Sequence, residues 1–280
     1  MRIGVIVPMT RLDDTGKLST WAEVRGYARH AEAVGVDSLW VFDHLYSGHG
    51  DVPPEDIHEA WTMQAALAAV TDRVELGQLV TCLAFRPPAL LAKMAVTVDE
   101  ISAGRLTLGV GAGWYDREYE DFGYPTDLRG GRFAEALEIL VPLLRGETVT
   151  FEGRHHRAAG ATLMPAPARR IPLLIGGFRP RMLRLTARYA DAWNTAWYPG
   201  PNDRLAERLA DLRAALDAEG RDPGTLRVTV GMLAPQTDAG ELAATIDAFG
   251  ALGVVDDLIV MQTRQNPAAL DLLAEALRLR

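Results

Sequence analysis

The chain has 280 residues, 48% of them hydrophobic and 24% charged, which is enough for a large buried core in one α/β domain or two. Its net charge of −8 argues against nonspecific binding to nucleic acid or to anionic membrane surfaces. The single cysteine, Cys82, excludes an internal disulfide and a cysteine-based zinc site. The first residues read as a strand from Ile3 to Val7 rather than a signal peptide, and no apolar run reaches membrane-spanning length, so a cytoplasmic protein is expected.

Pro8 ends that strand. Beyond a polar loop through Gly16, Thr20-Trp-Ala-Glu23 predicts a capping box. The helix it starts has Tyr27, Ala31 and Val34 on its apolar face and is closed by Gly35. Ser38 to Phe42 is a second strand, ending in Asp43-His44. A loop with Pro53 and Pro54 follows, then a helix from Ala60 to Val70 and a third strand from Val74 to Val80. Pro87 and Pro88 suit a helix start, and Leu91, Met94, Val98 and Ile101 give the expected buried stripe. Leu106, Leu108 and Val110 mark a fourth strand. There Gly109, Gly111 and Gly113 allow a sharp turn and close approach to a ligand, and Trp114 stands at the exit. The spacing is G-x-G-x-G, without the ribose-binding acid of a dinucleotide fold.

Arg132 to Leu144 is an amphipathic helix. Residues 145–171 break the rhythm: Val149 to Phe151 and the turn Gly153-Arg-His-His156 predict a hairpin, and Pro165 and Pro167 a linker. This insertion is either a lid over the barrel mouth or, the preferred reading, a decoration of its rim. Ile171 to Ile175 is a fifth strand, followed by Gly176-Gly177 and a short helix from Pro180. Ala192 to Thr195 is the sixth. Asn202 or Asp203 caps a helix with Leu205, Leu209, Leu212 and Leu216 on one face. Leu226 to Val230, a helix near Glu241 to Phe249, Val255 to Val260 and a last helix complete eight strand–helix pairs.

Strict alternation of strands and helices implies parallel strands with right-handed crossovers. Eight pairs predict a (β/α)8 TIM barrel, one domain over residues 1–280 with an insertion between the fourth and fifth strands. An open doubly wound sheet is the alternative, because strand order is not legible in sequence. In such a barrel the site collects at the C-terminal strand ends. These are Met9, Asp43-His44, Val80-Thr-Cys82, Gly111-Ala-Gly-Trp114, Gly176-Gly-Phe178, Asn194, Met232 and Gln262. The tails Met232-Leu-Ala-Pro235 and Met261-Gln-Thr-Arg264 have no glycine. No His-x-His pair follows the first strand, His49, His58, His155 and His156 lack ligand spacing, and no lysine ends a strand. No metal site and no Schiff base are therefore expected, and a bound cofactor is expected to carry the chemistry.

At these residues the chain resembles the luciferase-like monooxygenase superfamily of flavin and deazaflavin enzymes over nearly its whole length. The anchors are Asp43-His44, Leu76-Gly-Gln-Leu-Val-Thr81 leading to Arg86-Pro-Pro-Ala89, Gly104 to Trp114, Pro172-Leu-Leu-Ile-Gly-Gly177 and Ala190-Asp-Ala-Trp-Asn194. Gly111-Ala-Gly-Trp114 and Leu91-Ala-Lys-Met94 are most similar to the branch using coenzyme F420. That resemblance implies a non-proline cis peptide at Leu79–Val80 behind the tricyclic ring, with Leu79, Val80 and Thr81 at the cofactor. It implies catalytic roles for Asp43, accepting a polar group of the cofactor, and for His44, relaying a proton; the alternative is an Asp–His pair that fixes a loop.

Gly111 and Gly113 fall at the cofactor. Gly176 and Gly177, followed by Arg179 and Arg181 at a helix start, form the expected phosphate cradle, and Arg184 and Arg188 either extend it or belong to a solvated helix. Sugar-phosphate dehydrogenases of this branch carry an acid where this chain has Trp114, with Asp116 and Glu118 nearby but not equivalent. An apolar substrate pocket of Met9, Trp114, Phe178, Trp193 and Trp197 is expected instead, unless the tryptophans are core packing.

The resemblance implies an oxidoreductase that moves a hydride between coenzyme F420 and a small organic substrate, as a reductase of an activated double bond. The alternative is a two-component monooxygenase using reduced FMN. A non-catalytic flavin-binding barrel is a third. Implied partners are the substrate, a reductase that supplies reduced flavin or F420, and a second copy in a homodimer.

Overall fold

In chain order the elements are β1 (Arg2–Ile6), α1 (Trp21–Ala33), β2 (Ser38–Val41), α2 (Ala60–Val70), β3 (Glu75–Gln78), β4 (Thr81–Cys82), α3 (Pro88–Ile101) and β5 (Leu106–Gly111). Then come α4 (Asp116–Asp121), α5 (Arg129–Leu144), the hairpin β6 (Val149–Glu152) and β7 (Arg157–Ala161), β8 (Leu173–Gly176), α6 (Pro180–Tyr189) and β9 (Ala192–Tyr198). α7 (Asp203–Ala218), β10 (Arg227–Ala234), α8 (Ala239–Gly250), β11 (Asp257–Gln262) and α9 (Pro267–Arg278) finish the chain. This computed structural model describes residues 1–10, 16–46, 48, 53–234, 238–262 and 266–280. Most of the polar loop before Gly16, together with His49, Pro235, Thr263 and Arg264, lies outside the described residues.

The strands close on themselves. β1 pairs with β2 and β11, and the order runs on through β10, β9, β8 and β5 to β3, all parallel. This is a (β/α)8 TIM barrel, and the open sheet is excluded because the β3–β5 pairing joins the two ends of that order. The third barrel strand, expected to be continuous, is split into β3 and β4 at a cis Leu79–Val80 peptide. Inside the barrel, Trp40 is 1% exposed, and a Cβ on Gly77 would lie 2.3 Å from its ring. Glycine there makes room for the indole.

Several local expectations hold. Thr20 and Glu23 form a reciprocal capping box, and Asn202, not Asp203, caps α7. Others are corrected. Ile101 is 44% exposed, because the inward face of α3 runs through Leu91, Ala95, Val98 and Ser102. The helix α4 was not expected, and α5 begins at Arg129 rather than Arg132.

The insertion packs along α3 and α5, and its turn reaches the start of α5, where a Cβ on Gly131 would lie 3.7 Å from His155 Nε2. Glu135 of α5 accepts the backbone N–H groups of Arg154, His155 and His156 at 3.0, 2.7 and 3.0 Å. Lys93 of α3 donates to the Met164 carbonyl, and Arg169 pairs with Asp99 at 2.6 Å. At the opposite end of the barrel, Glu75 bonds Arg2 and Arg227 at 2.8 Å each and Thr107 at 2.7 Å. Burial pushes the Glu75 carboxyl up, but its hydrogen bond and charge pairing with Arg227, together with Thr107 and Arg2, win and hold it at about 2. Among the described residues no helix is long and apolar enough to cross a membrane.

Candidate active site

A cavity of about 850 Å³ opens where β2, β4, β5, β8 and β9 end, bounded on its outer side by the starts of α4, α5 and α6. Its floor is made by small residues. A Cβ on Gly111 would lie 2.5 Å from Val80 Cγ2, and one on Gly176 would lie 3.0 Å from Val80 Cγ1. Val80 therefore fills the space between two strand ends because neither neighbour has a side chain. Leu79, Gly113 and Gly177 also line the cavity, and Gly177 has φ +128°, a conformation suited to glycine.

Asp43 and His44 follow β2 and diverge in role. Asp43 is 4% exposed and accepts Arg86 through both oxygens, with a third bond from the Cys82 backbone N–H at 2.9 Å. Arg86 also reaches Glu59 at 2.6 Å. Burial pushes the Asp43 carboxyl up, opposed by Arg86. Asp43 also lines the cavity, and these three donors, which tie the end of β2 to β4, leave room for one more hydrogen bond on its carboxylate.

His44 lies on the cavity wall, with its Nδ1 2.9 Å from Glu118 Oε2. Glu118 Oε1 accepts the Leu45 backbone N–H at 2.6 Å. The Trp114 ring stands edge-on to His44 at 5.7 Å and stacks on Tyr115 at 5.4 Å. Trp114 and Phe178 both line the cavity and are 56% and 45% exposed, so they supply its apolar surface. The Arg208 guanidinium lies 3.9 Å above the Phe178 ring.

The remaining expected residues divide by place. Arg179 and Arg181 line the cavity at the start of α6, which has no side-chain cap. Arg188 instead pairs with Glu219 at 2.7 Å. Met9 and Trp193 are buried in the core and are not cavity walls; the Trp193 indole N–H donates to the Gly177 carbonyl at 2.7 Å, behind the cradle. Thr81 is likewise buried and does not line the cavity, although its neighbours Val80 and Cys82 do. Trp197 packs edge-on against Phe42 at 6.0 Å, and it is its neighbour Ala196 that reaches the wall. The pocket is thus narrower than the five residues expected.

Sequence reasoning passed over Tyr119 and Arg129, quoted Arg86 only as an anchor of the resemblance, and left Glu118 without a task. Tyr119 donates to the Ala112 carbonyl at 2.7 Å and lies 3.1 Å from the Cys82 sulfur. Burial raises both, the Cys82 thiol to about 11. Arg129 lies 3.9 Å over the Tyr119 ring and pairs with Asp116 at 2.7 Å. Cys82 and Tyr119 are 37 residues apart, Asp43 and Arg86 43, and His44 and Glu118 74, so no local motif announces these partners.

A family model described as luciferase-like monooxygenase matches residues 1–253. An uncharacterized protein of Mycobacterium tuberculosis is 34% identical over 201 residues, 66% of this chain and 69% of that one. A pyrimidine monooxygenase, RutA, of Bradyrhizobium is 34% identical over 195 residues, 66% of this chain and 52% of that one. Among solved structures, an F420-dependent secondary alcohol dehydrogenase in complex with an F420–acetone adduct superposes with a TM-score of 0.84 at 20% identity, covering 98% of this chain and 97% of that one. The chain belongs to the luciferase-like monooxygenase family, whose chemistry is oxidoreduction.

Proposed function

We propose that this family member binds the deazaflavin coenzyme F420 and exchanges hydride between it and a small organic substrate, acting as a reductase of an activated double bond. The observation that carries this reading is Val80 seated between Gly111 and Gly176 with His44 also on the cavity wall, an apolar support in the same cavity as one ionisable ring.

The residues fit a tricyclic cofactor with an anionic tail. Leu79 and Val80 would support the ring, while Gly176, Gly177, Arg179 and Arg181 would hold a phosphate through backbone donors and charge. Bound deazaflavin supplies a hydride donor or acceptor and, having carbon in place of the reactive flavin nitrogen, suppresses reaction with dioxygen. His44 holds a proton at Nε2 for the substrate atom next to the one that gains hydride. Trp114 and Phe178 cover the apolar part of the substrate and exclude water from it.

Kinship with a pyrimidine monooxygenase favours a second reading, an oxygenase that uses reduced FMN from a partner reductase. A non-catalytic flavin-binding barrel would have no need of His44. Equilibrium binding of oxidised F420 and of FMN, followed by fluorescence, separates these. Tight F420 with weak FMN supports hydride chemistry, whereas preference for FMN overturns it in favour of oxygenation. Binding of neither overturns both. A His44→Ala variant that keeps its cofactor and its turnover would remove His44 from the mechanism.

A further inference from the structure

We infer that Glu118 is the positioning residue for His44, fixing a hydrogen on Nδ1 so that Nε2 is the nitrogen that gives and takes the proton. This rests on the reading of His44 as the proton relay of the site.

Glu118 belongs to the short helix α4, far along the chain from His44, and is 2% exposed. Both its oxygens face donors of the segment after β2, Oε2 towards His44 Nδ1 at 2.9 Å and Oε1 towards the Leu45 N–H at 2.6 Å. A carboxylate accepts hydrogen bonds and donates none, so the imidazole nitrogen that meets it carries hydrogen. The other nitrogen, Nε2, is left with a lone pair in the neutral ring and with a hydrogen in the cation. Trp114, edge-on at 5.7 Å, further limits rotation of the ring. The His44 side chain is 27% exposed, which gives it access to solvent protons.

The proton count closes. For each hydride that reaches a substrate carbon, Nε2–H of the imidazolium gives one proton to the adjoining atom, and the ring becomes neutral with Nδ1–H still on Glu118. Solvent then restores the proton at Nε2. In the opposite direction Nε2 takes the proton of a substrate hydroxyl as the carbon loses hydride. With hydrogen on Nε2 of the neutral ring instead, that second step has no acceptor.

Glu118→Gln tests the assignment because its amide has one acceptor and one donor face. With the amide oxygen on the Leu45 N–H, the amide nitrogen meets His44 Nδ1 and forces its hydrogen to Nε2. Nitrogen-15 NMR of the cofactor-free protein at a pH well above neutral, with His44 assigned by comparison with His44→Gln, reads the tautomer directly. The wild type is expected to show Nδ1–H and Glu118→Gln to show Nε2–H. Turnover is expected to fall about 100-fold or more, the range of a general acid–base contribution, with the deazaflavin Kd changed less than about threefold.

Wild-type His44 carrying Nε2–H when neutral, or an unchanged tautomer in Glu118→Gln, overturns the inference. A loss of cofactor affinity that accounts for the whole loss of turnover also overturns it, since an anchor for the Leu45 loop would behave in that way. If the tautomers follow expectation but the wild type turns over no substrate with deazaflavin, the Glu118–His44 arrangement stands and the hydride reading fails.

Discussion

Arg86 holds Asp43 by two parallel hydrogen bonds, Nη1 to Oδ2 at 2.6 Å and Nη2 to Oδ1 at 2.9 Å, while Asp43 also receives the backbone of Cys82. The pair joins the segment after β2 to the end of β4 and the loop that follows it. Removing one partner leaves a buried charge without compensation. Arg86→Met is expected to destabilise the fold by about 3–5 kcal/mol, measured by denaturant unfolding. Adding Asp43→Asn to that variant removes the stranded charge and is expected to recover part of the loss. A double variant no more stable than Arg86→Met would place the cost elsewhere.

Gly111→Ala tests the cavity floor. Its new Cβ would lie 2.5 Å from Val80 Cγ2, so Val80 must move into the space above. Overpacking of this kind costs about 1–3 kcal/mol, and the displaced side chain occupies the cofactor's proposed place. Affinity for the tricyclic ring is expected to fall about tenfold or more in a fluorescence titration, with helical content by circular dichroism unchanged. Unaltered affinity would move the ring away from Val80.

Arg181→Gln tests the cradle. A hydrogen bond to a charged group contributes about 1.5–3 kcal/mol, so affinity for a phosphate-bearing cofactor is expected to drop roughly 10- to 100-fold. A ring analogue without phosphate is expected to bind wild type and variant alike. Raising the salt concentration should narrow the difference for the phosphate form. Equal losses for both ligands would mean that Arg181 supports the fold rather than the anion.

Glu75 governs acid stability at the other end of the barrel. Despite burial, Arg227, Thr107 and Arg2 depress its carboxyl from 4.5 to about 2. A depressed acid stabilises the fold above its unfolded value and loses that contribution as the pH falls through its folded value. About 3 kcal/mol is expected to disappear between pH 4.5 and about 2. Glu75→Gln, already without the charge, is expected to show a flatter unfolding profile over that interval. A profile as steep as that of the wild type would assign the acid sensitivity to other carboxylates.

The barrel was legible because its signals are local. The Thr20 box, the Pro87-Pro88 start and the alternation of apolar runs each depend on residues a few positions apart. Gly111 and Gly176 were legible for a related reason, since a strand that ends in glycine announces close approach. Glu118 and Arg86 were not, because their meaning lies in partners 74 and 43 residues away. Trp193 misled for the opposite reason: a strand-end tryptophan can face the cavity or lie behind it, and strand period alone does not say how the backbone turns at the mouth. Asp43 was found at the cavity as expected, with Arg86 and the Cys82 backbone already on its oxygens. Residue type identified the acceptor without showing its protein donors.

Trp193 has a consequence for the way a ligand would be met. Its indole draws the Gly177 carbonyl backwards at 2.7 Å, into the protein. In a trans peptide unit the C=O and the following N–H point in opposite directions. The N–H of Phe178 is thereby turned away from the Trp193 indole before any ligand arrives. An anion in the proposed cradle would find its donor aimed in advance, so the ordering of that loop is not charged against binding. A tryptophan that never touches the ligand would then act on affinity through entropy, by having frozen a peptide plane during folding.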